Sequence, residues 1–313
     1  MVPNIVFIVP YRNREQQLFF FRNYMKYIME DYRDTDYKIF FSHQTDTREF
    51  NRGATKNIGF LAVKQLYPDD YKDITFVFND IDTIPHKKGL LKYNTNIGVV
   101  KHFYGFVQAL GGIFSIKGRD FEKLNGFPNY WGWGFEDNAM NARVLKNSMM
   151  TINRDNFFKI GDNNIIQLFD SVTRSIVLKN KQKYANDTTS DGITAIKNLT
   201  YDIDGDMINI KTFTATDEYS PDDVVKHDFF TEERKSMFSF RQGLKNSDVS
   251  PPQPSQPPPQ PQSVSVQTSA SNASGPPINQ GGRISVSQAN RTMNMSMNRN
   301  QRRGKVGKGF KMF

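Results

Sequence analysis

The chain has 313 residues, no cysteine and a formal charge of +9. That length can bury a large core without covalent staples, and the absence of cysteine excludes disulfides and thiolate metal sites. The charge is uneven: residues 246–313 carry eight Lys/Arg against one Asp, whereas residues 1–245 carry 33 basic against 31 acidic groups. The body is therefore near neutral and the basicity belongs to the tail. No stretch approaches the roughly 20 apolar residues of a membrane span, and the start "MVPNIVFIVP" lacks a basic leader region. A soluble intracellular protein is expected.

In chain order, "NIVFIVP" (4–10) reads as a buried strand from its unbroken, β-branched apolar run. The next segment sets Leu18, Phe21, Met25 and Ile28 on one helical face. "YKIFFSH" (37–43) reads as a second strand. "RGATKNIGFLAVKQLY" (52–67) reads as a helix with Ile58, Leu61, Ala62 and Leu66 inward, and "ITFVFND" (74–80) as a third strand that stops at carboxylates. Strands alternating with helices predict an α/β fold, a mainly parallel central sheet flanked by helices, with ligands outside the carboxyl ends of the strands. "GITAIKNLTYDIDGDMINIKTFT" predicts a hairpin turning at Asp204-Gly205 and added to that sheet. The predicted body spans 1–245. Residues 246–300 hold a Pro/Gln/Ser-rich stretch with nine of the fifteen prolines, which predicts a disordered linker, and 301–313 form a basic tail.

Chemistry-bearing residues cluster at the predicted strand ends. In "FNDIDTIP", Asp80 and Asp82 alternate on an extended chain, so both carboxylates share one side. Crowded carboxylates repel unless a cation joins them, and hard oxygen donors suit Mn²⁺ or Mg²⁺; the alternative is a solvated strand end. Arg12 and Arg14 in "PYRNRE" could grip a phosphate or serve as plain surface charge. Arg52 in "FNRGATKN" stands at a helix start, a natural anion site. "NYWGWGFEDN" (129–138) holds both tryptophans, Trp131 and Trp133, between glycines and ahead of Glu136 and Asp137. Indole faces suit the apolar side of a sugar ring, and a carboxylate beside them is partly desolvated and so a better base. The competing possibility is two core tryptophans followed by a helix that opens on acidic residues.

Taken in this order, the blocks "VPYRNREQQL", "FNRGATKNIGF", "FVFNDIDTIP", "LGGIFSI" and "FEKLNGFPNYWGWGFEDNAMNAR" resemble the β-1,4-galactosyltransferase family, galactosyltransferase family 7, whose members have the GT-A fold. The resemblance implies an inverting, metal-dependent transferase that moves a galactose-type sugar from a UDP-sugar to an acceptor hydroxyl on a glycan or glycoprotein. By the same resemblance Pro10, Tyr11, Arg12 and Arg14 would line the UDP site, and Phe50 and Arg52 would touch the nucleotide. Asp80 would face ribose or metal, with Asp82 a direct Mn²⁺ ligand. Trp131, Trp133, Glu136 and Gly112 would contact the sugars, and Asp137 would be the catalytic base.

Departures from the family pattern carry expectations of their own. Ala109 replaces an aromatic that shapes the donor pocket, so a bulkier 2-substituent such as that of UDP-GalNAc fits. The family's later His-containing metal stretch is missing; "IIQLFDS" offers Gln167 and Asp170 instead, and Asp170 is an acceptable oxygen ligand. Asn138 stands where many members have Asp. Animal relatives carry a Golgi anchor, and an unanchored version would suit a bacterium or a large cytoplasmic virus. The tail could contact an acidic surface by charge alone or merely solvate the body. Two alternatives to an enzyme remain: a non-catalytic carbohydrate-binding protein on a decayed transferase fold, and a nucleic-acid or structural binder driven by its tail.

Overall fold

The computed structural model describes residues 1–168 and 173–228. The first half alternates as expected: β1 (Ile5–Tyr11), α1 (Glu15–Ile28), β2 (Tyr37–Gln44), α2 (Arg52–Leu66) and β3 (Thr75–Asn79). There follow β4 (Thr83–Pro85), β5 (Val99–Gly105), β6 (Ile113–Lys117), α3 (Gly118–Lys123) and α4 (Glu136–Lys146). The remainder comprises β7 (Thr151–Asn153), β8 (Phe158–Lys159), β9 (Ile165–Gln167), β10 (Thr173–Val177), α5 (Asn180–Ala185), β11 (Lys197–Asp204), β12 (Met207–Thr214) and β13 (Val224–Asp228).

Among the described residues the main sheet has nine strands in the order β11-β12-β2-β1-β3-β6-β5-β7, with β8 beside β5. β12, β2, β1 and β3 run parallel to one another, whereas β6 is antiparallel to both β3 and β5 and β11 is antiparallel to β12. The sheet is thus mixed, its parallel half being the half that the helix–strand alternation foretold. The expected hairpin is β11–β12; it turns at Asp204-Gly205 and joins the sheet through β2.

Every residue of β1 is buried, as a central strand covered on both faces requires. One face packs against α1 through Phe21, Met25 and Ile28, together with Phe7, Phe41 and Tyr93. The other carries α2 and a run of aromatic contacts through Phe60, Phe76, Phe78, Phe114, Phe121 and Phe127. α2 is enclosed far beyond the predicted stripe: Gly53 to Phe60 are all buried, while Leu66, expected inward, is exposed. Gly53 allows this, since a β-carbon there would collide with the carbonyl of Pro128.

Register then assembles the site. Ile5 stands beside Tyr37 and Thr75, so β1, β2 and β3 start level and end within a few residues of one another, β3 stopping first at Asn79. The segments after them, 12–14, 45–52 and 80–82, gather along one edge, the edge where parallel α/β sheets bind ligands.

Candidate active site

The D-x-D segment is a tight turn, which corrects the expectation of an extended chain: the Thr83 N–H folds back to the carbonyl of Asp80 at 3.2 Å. Asn79 Nδ2 donates to the carbonyls of Asp80 and Thr83, both at 2.8 Å. The Asp80 N–H donates to the carbonyl of Gly112 at 2.9 Å, and the Leu168 N–H to the carbonyl of Asp82 at 2.8 Å. Asp82 Oδ2 accepts a hydrogen bond from Arg14 Nη1 at 2.7 Å. Burial and the neighbouring Asp80 raise the Asp82 carboxyl above the ordinary range, and Arg14 and Arg52 only partly oppose them.

The other predicted nucleotide residues lie along the same edge. Pro10 and Tyr11 close β1, and the Tyr11 ring rests against His43 with centroids 4.8 Å apart. Arg12 donates to the carbonyl of Arg48 and stands 3.9 Å from Asp46. Asn51 caps α2 by accepting the Ala54 N–H at 2.9 Å, which places Arg52 in the first turn. The Arg52 guanidinium sits over the Phe50 ring, 4.9 Å from its centroid.

Glu136 and Asp137 open α4, a position the helix dipole favours for carboxylates. Phe135 precedes them with φ +73°, a left-handed turn between the Gly-rich loop and the helix. Lys56 of α2, a residue the sequence reading passed over, donates to Asp137 Oδ1 at 2.8 Å. Its one sequence signal is the spacing of four from Arg52, which puts both cations on one face of α2. Burial, with Glu136 and Asp80 nearby, pushes the Asp137 carboxyl up to about 7 against the pull of Lys56. Burial works to lower Lys56, but Asp137, Asp80 and Glu136 outweigh it and hold the ammonium above its usual range.

Gly111 and Gly112 join the two carboxylate clusters. A β-carbon on Gly111 would collide with Asp137 Oδ2. Gly112 has φ +69°, and its carbonyl takes the Asp80 N–H. Behind this loop His102 is buried; its Nε2 lies 3.1 Å from the carbonyl of Tyr104 and 3.3 Å from that of Gly111. Its Nδ1 accepts from Arg154 Nε at 3.1 Å, so the proton belongs on Nε2. Burial, aided by the Arg154 charge, lowers this imidazole to about 4.

The two tryptophans part company. Trp131 is 4 % exposed, stacked on Phe213 with centroids 5.5 Å apart, covered by the Arg48 guanidinium, and donates Nε1–H to the carbonyl of Asp217 at 2.9 Å. Neither face of its indole is open, so the expectation that it contacts sugar is corrected: it is a core residue. Trp133 is half-buried, and its N–H donates to the carbonyl of Ser175 at 2.6 Å. Asn138 Nδ2 donates to the carbonyl of Gln108 at 3.1 Å, and Ala109 is buried.

Asp80 and Asp82 supply the hard oxygen donors that a divalent cation needs, though among the described residues no group of three or more His, Cys, Asp or Glu is poised for a metal. β9 runs beside β4 with Gln167 opposite Thr83, so the segment expected to add a ligand passes next to Asp82. Asp170 itself lies outside the described residues. A groove of about 680 Å³ between α1 and β2, lined by Phe19, Arg22, Lys26 and Asp206 among others, includes none of these site residues.

Comparison with known proteins supplies the family. The model for the N-terminal region of glycosyl transferase group 7 matches residues 2–93, and that for the N-terminal domain of galactosyltransferase matches residues 94–167. Mouse β-1,4-galactosyltransferase 1 is 34% identical over 161 residues, covering 49% of this chain and 39% of the relative. Human β-1,4-galactosyltransferase 4 is 31% identical over 153 residues, covering 45% and 42%. The Caenorhabditis elegans xylosylprotein 4-β-galactosyltransferase is 31% identical over 151 residues, covering 45% and 50%. The chain thus spans half or less of the length of these relatives. The crystal structure of the catalytic domain of Drosophila β-1,4-galactosyltransferase 7, in complex with xylobiose, superposes with a TM-score of 0.54 at 22% identity, covering 67% of this chain and 94% of that one. The fold is therefore the GT-A fold of the galactosyltransferases.

The expectation of a soluble intracellular protein is corrected by the same comparison. The relatives are Golgi type II membrane galactosyltransferases, and they extend well beyond the stretch matched here. No helix among the described residues is long and apolar enough to cross a membrane. On the two family models, which together span residues 2–167, the chain belongs to the glycosyl transferase group 7 family of galactosyltransferases.

Proposed function

We propose that this chain is an inverting glycosyltransferase that moves a galactose-type sugar from a UDP-sugar to a hydroxyl of an acceptor glycan. One observation carries the proposal. Asp137, its carboxyl pushed up to about 7, faces a glycine pair whose other end is hydrogen-bonded to the D-x-D turn. A base with a proton affinity near neutrality and a paired-carboxylate turn for the donor's diphosphate are the two halves of such a transfer, and here a single loop links them.

In this scheme Asp137 Oδ2 takes the proton of the acceptor hydroxyl as that oxygen bonds to the anomeric carbon. The bond from that carbon to the diphosphate oxygen breaks on the opposite face, and UDP leaves with the electron pair. Arg12, Arg14 and Arg52 stand along the edge where the diphosphate would lie, and Tyr11 and Phe50 offer rings beside it. Asp82, with Asp80 and the segment after Gln167, would hold Mn²⁺ or Mg²⁺, which when bound supplies Lewis-acid neutralisation of the departing charge. Trp133 would meet the sugars, whereas Glu136, 4 % exposed like Trp131, lies buried beside Asp137. The small Ala109 favours donors with a bulkier 2-substituent, so UDP-GalNAc belongs beside UDP-galactose in any donor panel. The catalytic body is residues 1–245, and the acceptor class is a glycan or glycoprotein.

Calorimetry with UDP and a panel of UDP-sugars, with and without Mn²⁺, tests the donor half without an acceptor. Metal-dependent binding that Asp82→Asn removes is the expected result. Absence of binding with any metal would sink the proposal in favour of a carbohydrate-binding protein without turnover.

A further inference from the structure

Lys56 is the feature of this site that the transfer scheme leaves without a task. Its side chain is 2 % exposed in the middle of α2, and a lysine so enclosed is held by a partner or discharged. The ammonium donates to Asp137 Oδ1 at 2.8 Å and lies over the Phe127 ring, 4.6 Å from its centroid. Asp137 is 23 % exposed against the 2 % of Lys56, so the pair has a closed side and an open one. The two carboxylate oxygens are correspondingly divided, with Oδ1 on the ammonium and Oδ2 over Gly111.

We propose that Lys56 is the positioning residue for the base: it holds Oδ1 of Asp137 from the protein side and leaves Oδ2 as the one oxygen presented to an acceptor hydroxyl. The inference rests on the transferase reading of Asp137. Three charged groups face Asp137: Lys56 from α2, Glu136 from its own helix and Asp80 from the turn after β3. Lys56 is the one cation among them. Replacing it with a neutral side chain both frees the rotamer and leaves three carboxylates unopposed, so the carboxyl holds its proton to higher pH.

The test uses full-length protein, ¹³C-labelled at aspartate carboxyls, with Asp137→Asn to assign the resonance. In Lys56→Met the Asp137 titration midpoint moves up by at least one pH unit, and UDP-galactose affinity in Mn²⁺ stays within twofold of wild type. The acid limb of UDP-galactose turnover, with water or a glycan as acceptor, moves up with it, and turnover at pH 7 falls at least tenfold and recovers at alkaline pH. Lys56→Arg, keeping the charge, returns the limb toward its original position. If Lys56→Met does not fold, Lys56→Gln must give the same displacement. An Asp137 midpoint that stays put overturns the inference whether or not the wild-type protein turns over a donor. A midpoint that moves while the rate profile does not removes Asp137 as the base, and the proposed function falls with it.

Discussion

Trp131 and Trp133 sit two residues apart and are predicted to fail differently when removed. Trp131→Ala takes a buried indole from between Phe213, Tyr219 and the Arg48 guanidinium. It should cost about 3–5 kcal/mol of stability in a denaturant titration, the range for large aromatic deletions in cores. Trp133→Ala, at a half-buried position, should leave the unfolding midpoint within about 1 kcal/mol of wild type and weaken acceptor saturation instead. Equal losses of stability would remove Trp133 from the sugar site. The pH dependence follows from Asp137, whose base form exists only above its pKa. With that pKa raised to about 7, turnover should climb with pH through about 6–8 rather than level off near pH 5, as it would with an ordinary carboxylate.

At the scale of elements, the β5–β6 loop is the joint of the site. Gly111→Ala would push its β-carbon against Asp137 Oδ2, so turnover should fall by at least an order of magnitude while UDP affinity, built on the segments after β1 and β2, is retained. His102 beneath the loop is held neutral, with its pKa lowered to about 4 from an unfolded value near 6.5. The unfolded chain therefore binds more protons than the native one between those values. Stability attributable to His102 is full above about 6.5 and is lost as pH falls toward 4, on the order of 3 kcal/mol in all. Denaturant midpoints at pH 7.5 and 5 should show about 2 kcal/mol of this loss, and His102→Gln should flatten it.

Some elements were open to reading from the sequence and others were not, for physical reasons. β1 and β3 are local: an unbroken apolar run carries its own pattern, and the structure keeps it, whereas the D-x-D stretch, expected to be extended, is held as a turn by the distant Gly112 and Leu168. Lys56 could not be read as buried, because lysine on a helix ordinarily faces water. Its enclosure depends on Phe127 and Asp137, more than 70 residues further on. Trp131 was misjudged for the same reason, since its covering residues Phe213 and Tyr219 arrive with β12 and the loop after it. The antiparallel placement of β6 between β3 and β5 had no local signal at all.

For the whole molecule, the transferase account and the tail-driven alternative diverge on one deletion. Removing residues 246–313 strips eight basic groups and should leave donor binding and turnover within about twofold of the full chain. Loss of both would give the basic end the leading role. The most direct test of the account is UDP release from UDP-galactose in Mn²⁺, in wild type and in Asp137→Asn, with donor affinity measured on the same samples. The account predicts turnover in the wild type and a loss of roughly 10²–10⁴-fold in the variant at unchanged donor affinity. Turnover that survives Asp137→Asn, or a wild type that binds UDP-galactose and releases no UDP with any acceptor, would contradict it.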